Sequence, residues 1–120
     1  MTSTITFDIA ALTRAIESRD PEAQLALYNP DAELTLVDHD NSPSTPRVVR
    51  GTEELRRYFT DLCDRDMTHE VRTAVAGADH VAFEVDCQYA DGTKVLCMCV
   101  GAVVDGRLAW HRQVQAWDHR

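Results

Sequence analysis

Three polar side chains stand two residues apart near the end of the chain: His111, Gln113 and Gln115. Strand-like alternation places them on a face that is otherwise apolar. A neutral imidazole in such a setting accepts or delivers a proton near pH 7. An amide left without a partner there costs ~1–3 kcal/mol. Apolar walls with a few placed hydrogen-bonding groups are the composition of a small-molecule pocket. Asp38 ends the run Ala32–Asp38 and shares strand parity with Leu34 and Leu36, so it is the candidate partner of His111 at the mouth. His111 and Asp38 are the predicted acid–base pair, acting on a hydrophobic carbonyl compound. Gln113 and Gln115 are predicted to hold the polar end of that ligand. Trp117, Tyr58, Phe59, Met98 and Tyr89 are predicted to supply apolar wall. The alternative is that His111 is a hydrogen-bonded wall residue and Asp38 a loop cap.

These residues need elements to position them. Ile5, Ile9, Leu12 and Ile16 follow a helical stripe, which predicts a helix over about Phe7 to Ser18. Asp20-Pro21-Glu22 opens a second, short helix with Asp20 as N-cap, stopped by Asn29-Pro30-Asp31. Ala32–Asp38 is a strand. Residues 39–50, with Asp40, Asn41, Ser42, Pro43, Ser44 and Pro46, read as a surface loop. Thr52 is the predicted N-cap of a third helix, whose buried stripe is Leu55, Tyr58, Phe59, Leu62 and Cys63. A strand over Met67–Val75 follows, turning near Gly77. Asp91-Gly92 and Asp105-Gly106 each lie between apolar runs, a strong hairpin signal. The order predicts an α+β domain with helices on one face of a curved, mainly antiparallel sheet, as a single domain over residues 1–120.

Two-residue turns at both Asp-Gly pairs sort the side chains by face. Cys87 then opposes Leu96, Leu96 opposes Gln115, Met98 opposes Gln113, and Val100 opposes His111. One face holds Phe83, Val85, Cys87, Tyr89, Leu96, Met98, Val100, His111, Gln113, Gln115 and Trp117. The other holds Glu84, Asp86, Gln88, Val95, Cys97, Cys99, Leu108, Trp110, Arg112 and Val114. One bulge inverts part of such a sorting; in the last strand it would turn His111 out and Arg112 in. In this register Cys87 is on the opposite face from Cys97 and Cys99, and all four cysteines are predicted to be reduced.

The element order resembles the nuclear transport factor 2-like superfamily, and within it the SnoaL-like, polyketide cyclase-like group. The resemblance rests on Asp20-Pro21-Glu22-Ala23, Tyr28-Asn29-Pro30-Asp31-Ala32-Glu33, Arg50-Gly51-Thr52-Glu53-Glu54-Leu55 and the ending Trp117-Asp118. It implies a cone-shaped α+β barrel, with the concave face lining a cavity under the helices and the convex face joining a second subunit. The first face above is assigned to the cavity. A homodimer is expected through the convex face, with Trp110, Arg112 and Val114 at its centre and Val95 and Leu108 beside them. The superfamily includes isomerases, hydrolases, cyclases and non-catalytic assembly domains, so fold alone does not settle function. Ketosteroid isomerase positions align with Leu12, Leu36 and Val100, all apolar here. Epoxide hydrolases of this fold need an Asp-Arg-Asp set, and no Arg falls on the predicted cavity face. The resemblance leaves a cyclase-, isomerase- or dehydratase-type enzyme, or a non-catalytic ligand-binding or assembly module.

Composition bounds the remaining classes. Among 120 residues, 20 Asp and Glu outnumber 12 Lys and Arg, for a net charge of −8. That balance repels phosphate backbones and anionic membranes, so neither nucleic acid nor membrane is an expected partner. No apolar run approaches the ~20 residues that span a bilayer, and Met1–Asp8 has no signal-like pattern. A cytoplasmic location is expected. The five histidines are scattered without ligand spacing, so no metal and no cofactor are expected.

Overall fold

A computed structural model describes residues 6–119. Ile5, the first residue of the predicted helical stripe, lies outside them. The helices are α1 (Ile9–Glu17), α2 (Pro21–Leu25) and α3 (Gly51–Asp64). The strands are β1 (Tyr28–Val37), β2 (Arg47–Arg50), β3 (Met67–Ala76), β4 (His80–Tyr89), β5 (Lys94–Val104) and β6 (Arg107–Trp117). The six strands form one open mixed sheet in the order β2-β1-β6-β5-β4-β3. All neighbours are antiparallel except β1 and β6, which run parallel. The α+β architecture is therefore the predicted one. No helix among the described residues is long and apolar enough to cross a membrane.

Local chemistry explains the helix starts. Asp8 caps α1 by accepting from the Ala11 N–H at 2.9 Å, so the helix begins at Ile9, two residues later than predicted. Asp20 caps α2 in the same way, with Pro21 at the first helical position. Thr52 is not the N-cap of α3: the chain enters from β2, the cap position is Arg50, and no side chain caps it. The predicted loop over 39–50 ends in β2, an edge strand antiparallel to β1. Asn29-Pro30-Asp31 does not stop α2, which ends at Leu25; those residues belong to β1. The helices bury Leu12, Leu55 and Phe59 in a core shared with Leu34, Val85 and Leu108 of the sheet.

The sheet departs from the predicted register at two places. The first hairpin closes with three loop residues, Ala90-Asp91-Gly92: the Tyr89 N–H donates to the Thr93 carbonyl at 2.9 Å. Gly92 has φ +93°, the left-handed position that such a loop places before the returning strand. Cys87 consequently opposes Val95, not Leu96. The second hairpin has the predicted two-residue turn at Asp105-Gly106, but a bulge follows. Val103 pairs with Leu108 and Ala102 with Trp110, so Ala109 is the extra residue. Each shift is one residue, and each inverts β5 against a neighbour. β4 and β6 therefore stay in phase with each other while β5 turns over. Val95, Cys97, Cys99 and Leu108 face inward and are buried, contrary to their predicted outward placement. Leu96, Met98 and Val100 face outward and are exposed. Cys87, Cys97 and Cys99 thus share one face, and all four cysteines are free.

Candidate functional site

Between the helices and the inner face lies a pocket of about 150 Å³. A cavity of that size accommodates one aromatic ring. Its floor is His111, buried at 5% exposure on β6 beside Leu34 of β1. His111 Nδ1 lies 2.7 Å from the Tyr28 hydroxyl, and the ring packs on Phe83 at 5.4 Å. Burial depresses its pKa to about 4, so the ring is neutral near pH 7. Nε2 is buried and has no hydrogen-bond partner among the described residues. One proton occupies the Tyr28–His111 bond. If the phenol donates it, Nε2 carries the ring proton and lacks an acceptor. If the ring donates it, Nε2 is a bare base. Either way, a buried polar atom is left for something else to satisfy.

Tyr28 is the residue that sequence reasoning missed. It lies ahead of the strand start predicted at Ala32, whereas β1 begins at Tyr28 itself and turns its ring to the inner face with Leu34 and Leu36. Burial raises its hydroxyl pKa well above the ordinary value, so it stays protonated. Tyr28 contacts Phe59 at 5.3 Å, and Phe59 contacts Tyr58 at 5.5 Å, an aromatic wall contributed by α3.

Asp38 also lines the pocket. Its Oδ1 accepts from the Asp40 N–H at 2.8 Å, the Asn41 N–H at 2.8 Å and the Asn41 side-chain amide at 3.0 Å. Partial burial opposes ionisation, but these hydrogen bonds prevail and hold the carboxyl below its usual range. One oxygen therefore caps the loop, and Oδ2 makes none of these bonds. Gln113 and Gln115 line the pocket as predicted. Gln115 Oε1 accepts from the Trp117 indole N–H at 3.1 Å, so its carbonyl is already matched. Trp117 stacks on Tyr89 at 5.6 Å, and Arg65 donates to the Tyr89 hydroxyl at 3.1 Å.

His111, Asp38, Gln113, Gln115, Trp117, Tyr58, Phe59 and Tyr89 thus border one space. No hydrogen bond joins Asp38 to His111 among the described residues. Met98 is the exception: it lies on the outer face at 51% exposure, because β5 is inverted. Two guanidinium groups that the face sorting did not contain reach the pocket, Arg47 from β2 and Arg65 from the end of α3. Arg47 sits over the Tyr58 ring at 5.3 Å. Of the positions aligned with isomerase residues, Leu12 and Leu36 line the pocket, whereas Val100 points outward. His69 and Cys87 add an unforeseen pair on the wall, with His69 Nδ1 3.1 Å from the sulfur. No cluster of three metal-ligating side chains occurs among the described residues.

The model of the SnoaL-like domain family matches residues 9–111. Among curated proteins none matches. Solved structures share the fold. A ketosteroid isomerase-like protein of Kribbella flavida DSM 17836 is 18% identical, with a TM-score of 0.75 over 92% of this chain and 76% of that one. A loop-truncation variant of IdmH is 27% identical, with a TM-score of 0.66 over 89% of this chain and 88% of that one. SalBIII, an epoxide hydrolase/cyclase-like enzyme of pyran ring formation in salinomycin, is 19% identical, with a TM-score of 0.67 over 90% and 87%.

Proposed function

The chain belongs to the SnoaL-like domain family, and on that premise we propose that it binds a small, largely apolar carbonyl compound and moves a proton beside that carbonyl. The carrying observation is the buried Tyr28–His111 pair with its unmatched Nε2 on the pocket floor. A phenol O–H is far more acidic than a neutral imidazole N–H, so Tyr28 donates to Nδ1 and the ring proton sits on Nε2. Nε2–H then donates to the carbonyl oxygen and holds the charge that develops there as an α-C–H bond ionises. Because burial keeps the imidazole neutral, it serves as a hydrogen-bond donor rather than as an imidazolium acid. The free Oδ2 of Asp38 takes the α-proton. Gln113 and the amide N–H of Gln115 orient the oxygen end, and Trp117, Tyr89, Tyr58 and Phe59 enclose the ring. Enolisation of this kind is a step open to isomerases, the activity for which one of the structural relatives is named.

Proton exchange tests this reading. The full chain with cyclohexanone in D2O should accelerate exchange of the α-protons, followed by NMR. His111→Gln should lower that rate by ~10²–10⁴-fold, the usual worth of a general acid–base group. Ketone binding that perturbs the His111 ring signals without exchange favours a non-catalytic binding module. Absence of both binding and exchange sinks the proposal.

The outer face supports a second part of the proposal. Leu96, Met98, Val100 and Val114 are adjacent on β5 and β6 and all exposed. Arg112 stacks over Trp110 at 5.4 Å at one side of this patch. Glu84 and Asp86 lie on the same face of β4. A contiguous apolar patch bordered by both charge signs fits a second copy of the chain. Its centre is therefore β5 with Val114; Val95 and Leu108, predicted beside the centre, are inside. Four free thiols suit a reducing compartment, and we assign the protein to the cytoplasm.

A further inference from the structure

We propose that Cys87, paired with His69, is a nucleophile on the pocket wall that adds to soft electrophiles of the α,β-unsaturated carbonyl class. The pair is built by the β3–β4 register, in which His69 and Cys87 are directly opposite. His69 Nδ1 stands 3.1 Å from the sulfur, within range for the thiol S–H to donate to it. Cys97 of the neighbouring strand β5 is buried on the same face of the sheet. Cys87 is buried yet borders the pocket, and it and His69 also border a second, wider depression. A base beside the sulfur and an open space in front of it are the requirements of an activated thiol.

The charged and titratable groups around the sulfur favour the thiolate. Cys97 is the largest influence, and it lowers the Cys87 pKa. Burial opposes it, the hydrogen bond and charge of His69 reinforce it, and Asp86 on the same strand opposes it weakly. Asp86 is itself engaged by Arg72 at 3.1 Å. Cys97 and Cys99 on β5 are both pushed upward and remain thiols. Cys63, also raised, accepts from the Gln24 amide at 3.3 Å. Of the four cysteines, Cys87 is the one that stands against an imidazole.

The chemistry needs no further reagent. The Cys87 S–H proton passes to His69 Nδ1. A sulfur lone pair forms a C–S bond to the β-carbon as the C=C π bond breaks. That electron pair moves to the carbonyl oxygen as an enolate, and His69 returns its proton at the α-carbon.

The inference is independent of the role assigned to His111, and its test reads covalent mass, not turnover. The full chain is treated with N-ethylmaleimide, and separately with cyclohex-2-enone, from about three units below the ordinary thiol pKa of ~8.5 to just above it. Intact mass and peptide mapping follow the adducts. The first adduct should form at Cys87, with a rate midpoint below the ordinary ~8.5 of a free thiol. His69→Ala should slow modification at pH 7 by about tenfold and move the midpoint up. Cys87→Ser should abolish the first adduct, and circular dichroism of both variants reports whether the fold is intact. The adduct is read by mass whether or not α-proton exchange occurs, which separates this proposal from the carbonyl reading. A first adduct at Cys63, Cys97 or Cys99, no reaction without denaturant, or an unchanged rate in folded His69→Ala would each overturn it.

Discussion

The two faces of β5 are made of nearly the same material and have opposite fates. Val95, Cys97, Cys99, Gly101 and Val103 are buried, whereas Leu96, Met98, Val100 and Val104 are exposed. The neighbours differ. β4 alternates Phe83, Val85 and Cys87 against Glu84 and Asp86, and β6 alternates His111, Gln113 and Gln115 against Arg112 and Val114. A strand with polar contrast declares its own face. A strand apolar on both sides takes its face from the register of its neighbours, and register depends on loop lengths and bulges that a single residue can change. The outward apolar set on β5 is then the feature to be accounted for, and the proposed second subunit accounts for it.

Truncation on the inner face should break this comparison most sharply. Leu108 is fully buried and reaches the inner face only because of the bulge at Ala109. Leu108→Ala should cost ~2–5 kcal/mol by chemical denaturation, the range for a cavity in a packed core. The predicted register placed Leu108 outside, where the same change would cost under ~0.5 kcal/mol.

Acid should distinguish the inner histidine from an exposed one. The folded-state pKa of His111 is about 4, against an ordinary 6.5. The unfolded chain therefore binds a proton that the folded chain refuses between those values. Stability is fully present above pH 6.5 and falls as pH drops toward 4, by about 3 kcal/mol in all. His111→Gln should flatten the slope in that window. Carboxylates held low by hydrogen bonds, Asp38 among them, act at still lower pH. A wild-type slope retained by the variant would assign the effect elsewhere.

Gly101 gives a third, smaller contrast within β5. It opposes His111, and a Cβ there would lie 2.7 Å from Leu108 Cδ2 and 2.8 Å from the Trp110 carbonyl. The carbonyl is backbone and cannot swing aside, so Gly101→Ala should cost ~1–3 kcal/mol in thermal or denaturant melts. Val100→Ala, one residue away on the outer face, should leave the protomer within ~0.5 kcal/mol.

The residues show why the fold was more legible than the site. Helix stripes, the Asp20-Pro21 start and the Asp-Gly hairpins are local signals, each written within a few residues. The inward placement of His111, Gln113 and Gln115 was also legible, because β6 has polar contrast. The Tyr28–His111 bond joins residues 83 apart in sequence and depends on the parallel pairing of β1 with β6, for which no turn supplies the register. The cysteine cluster was lost to one extra loop residue at Ala90-Asp91-Gly92. Met98 was misplaced by the same arithmetic. Arg47 and Arg65 were missed because they reach the pocket from an edge strand and a helix end, elements outside the face sorting.

The smallest expected effect on the protomer is also the sharpest test of the outer face. Met98 is half-exposed, directly opposite Glu84 on β4 and Val114 on β6. Met98→Lys would set an ammonium across from the Glu84 carboxylate, a cross-strand pair worth ~0.2–1 kcal/mol. That gain offsets the little apolar contact an exposed methionine makes, so folding of the isolated protomer should change by less than ~0.5 kcal/mol. Association should respond differently. An ion pair at the centre of an apolar contact must shed its water without gaining a polar partner from the second copy, and that desolvation opposes assembly. Multi-angle light scattering at micromolar concentration should show the wild-type chain at twice its 13.5 kDa mass and the variant at the monomer mass. A wild-type chain that is monomeric throughout would leave the outer face of β5 without a partner of its own kind. A variant that stays dimeric would move the interface off that face altogether.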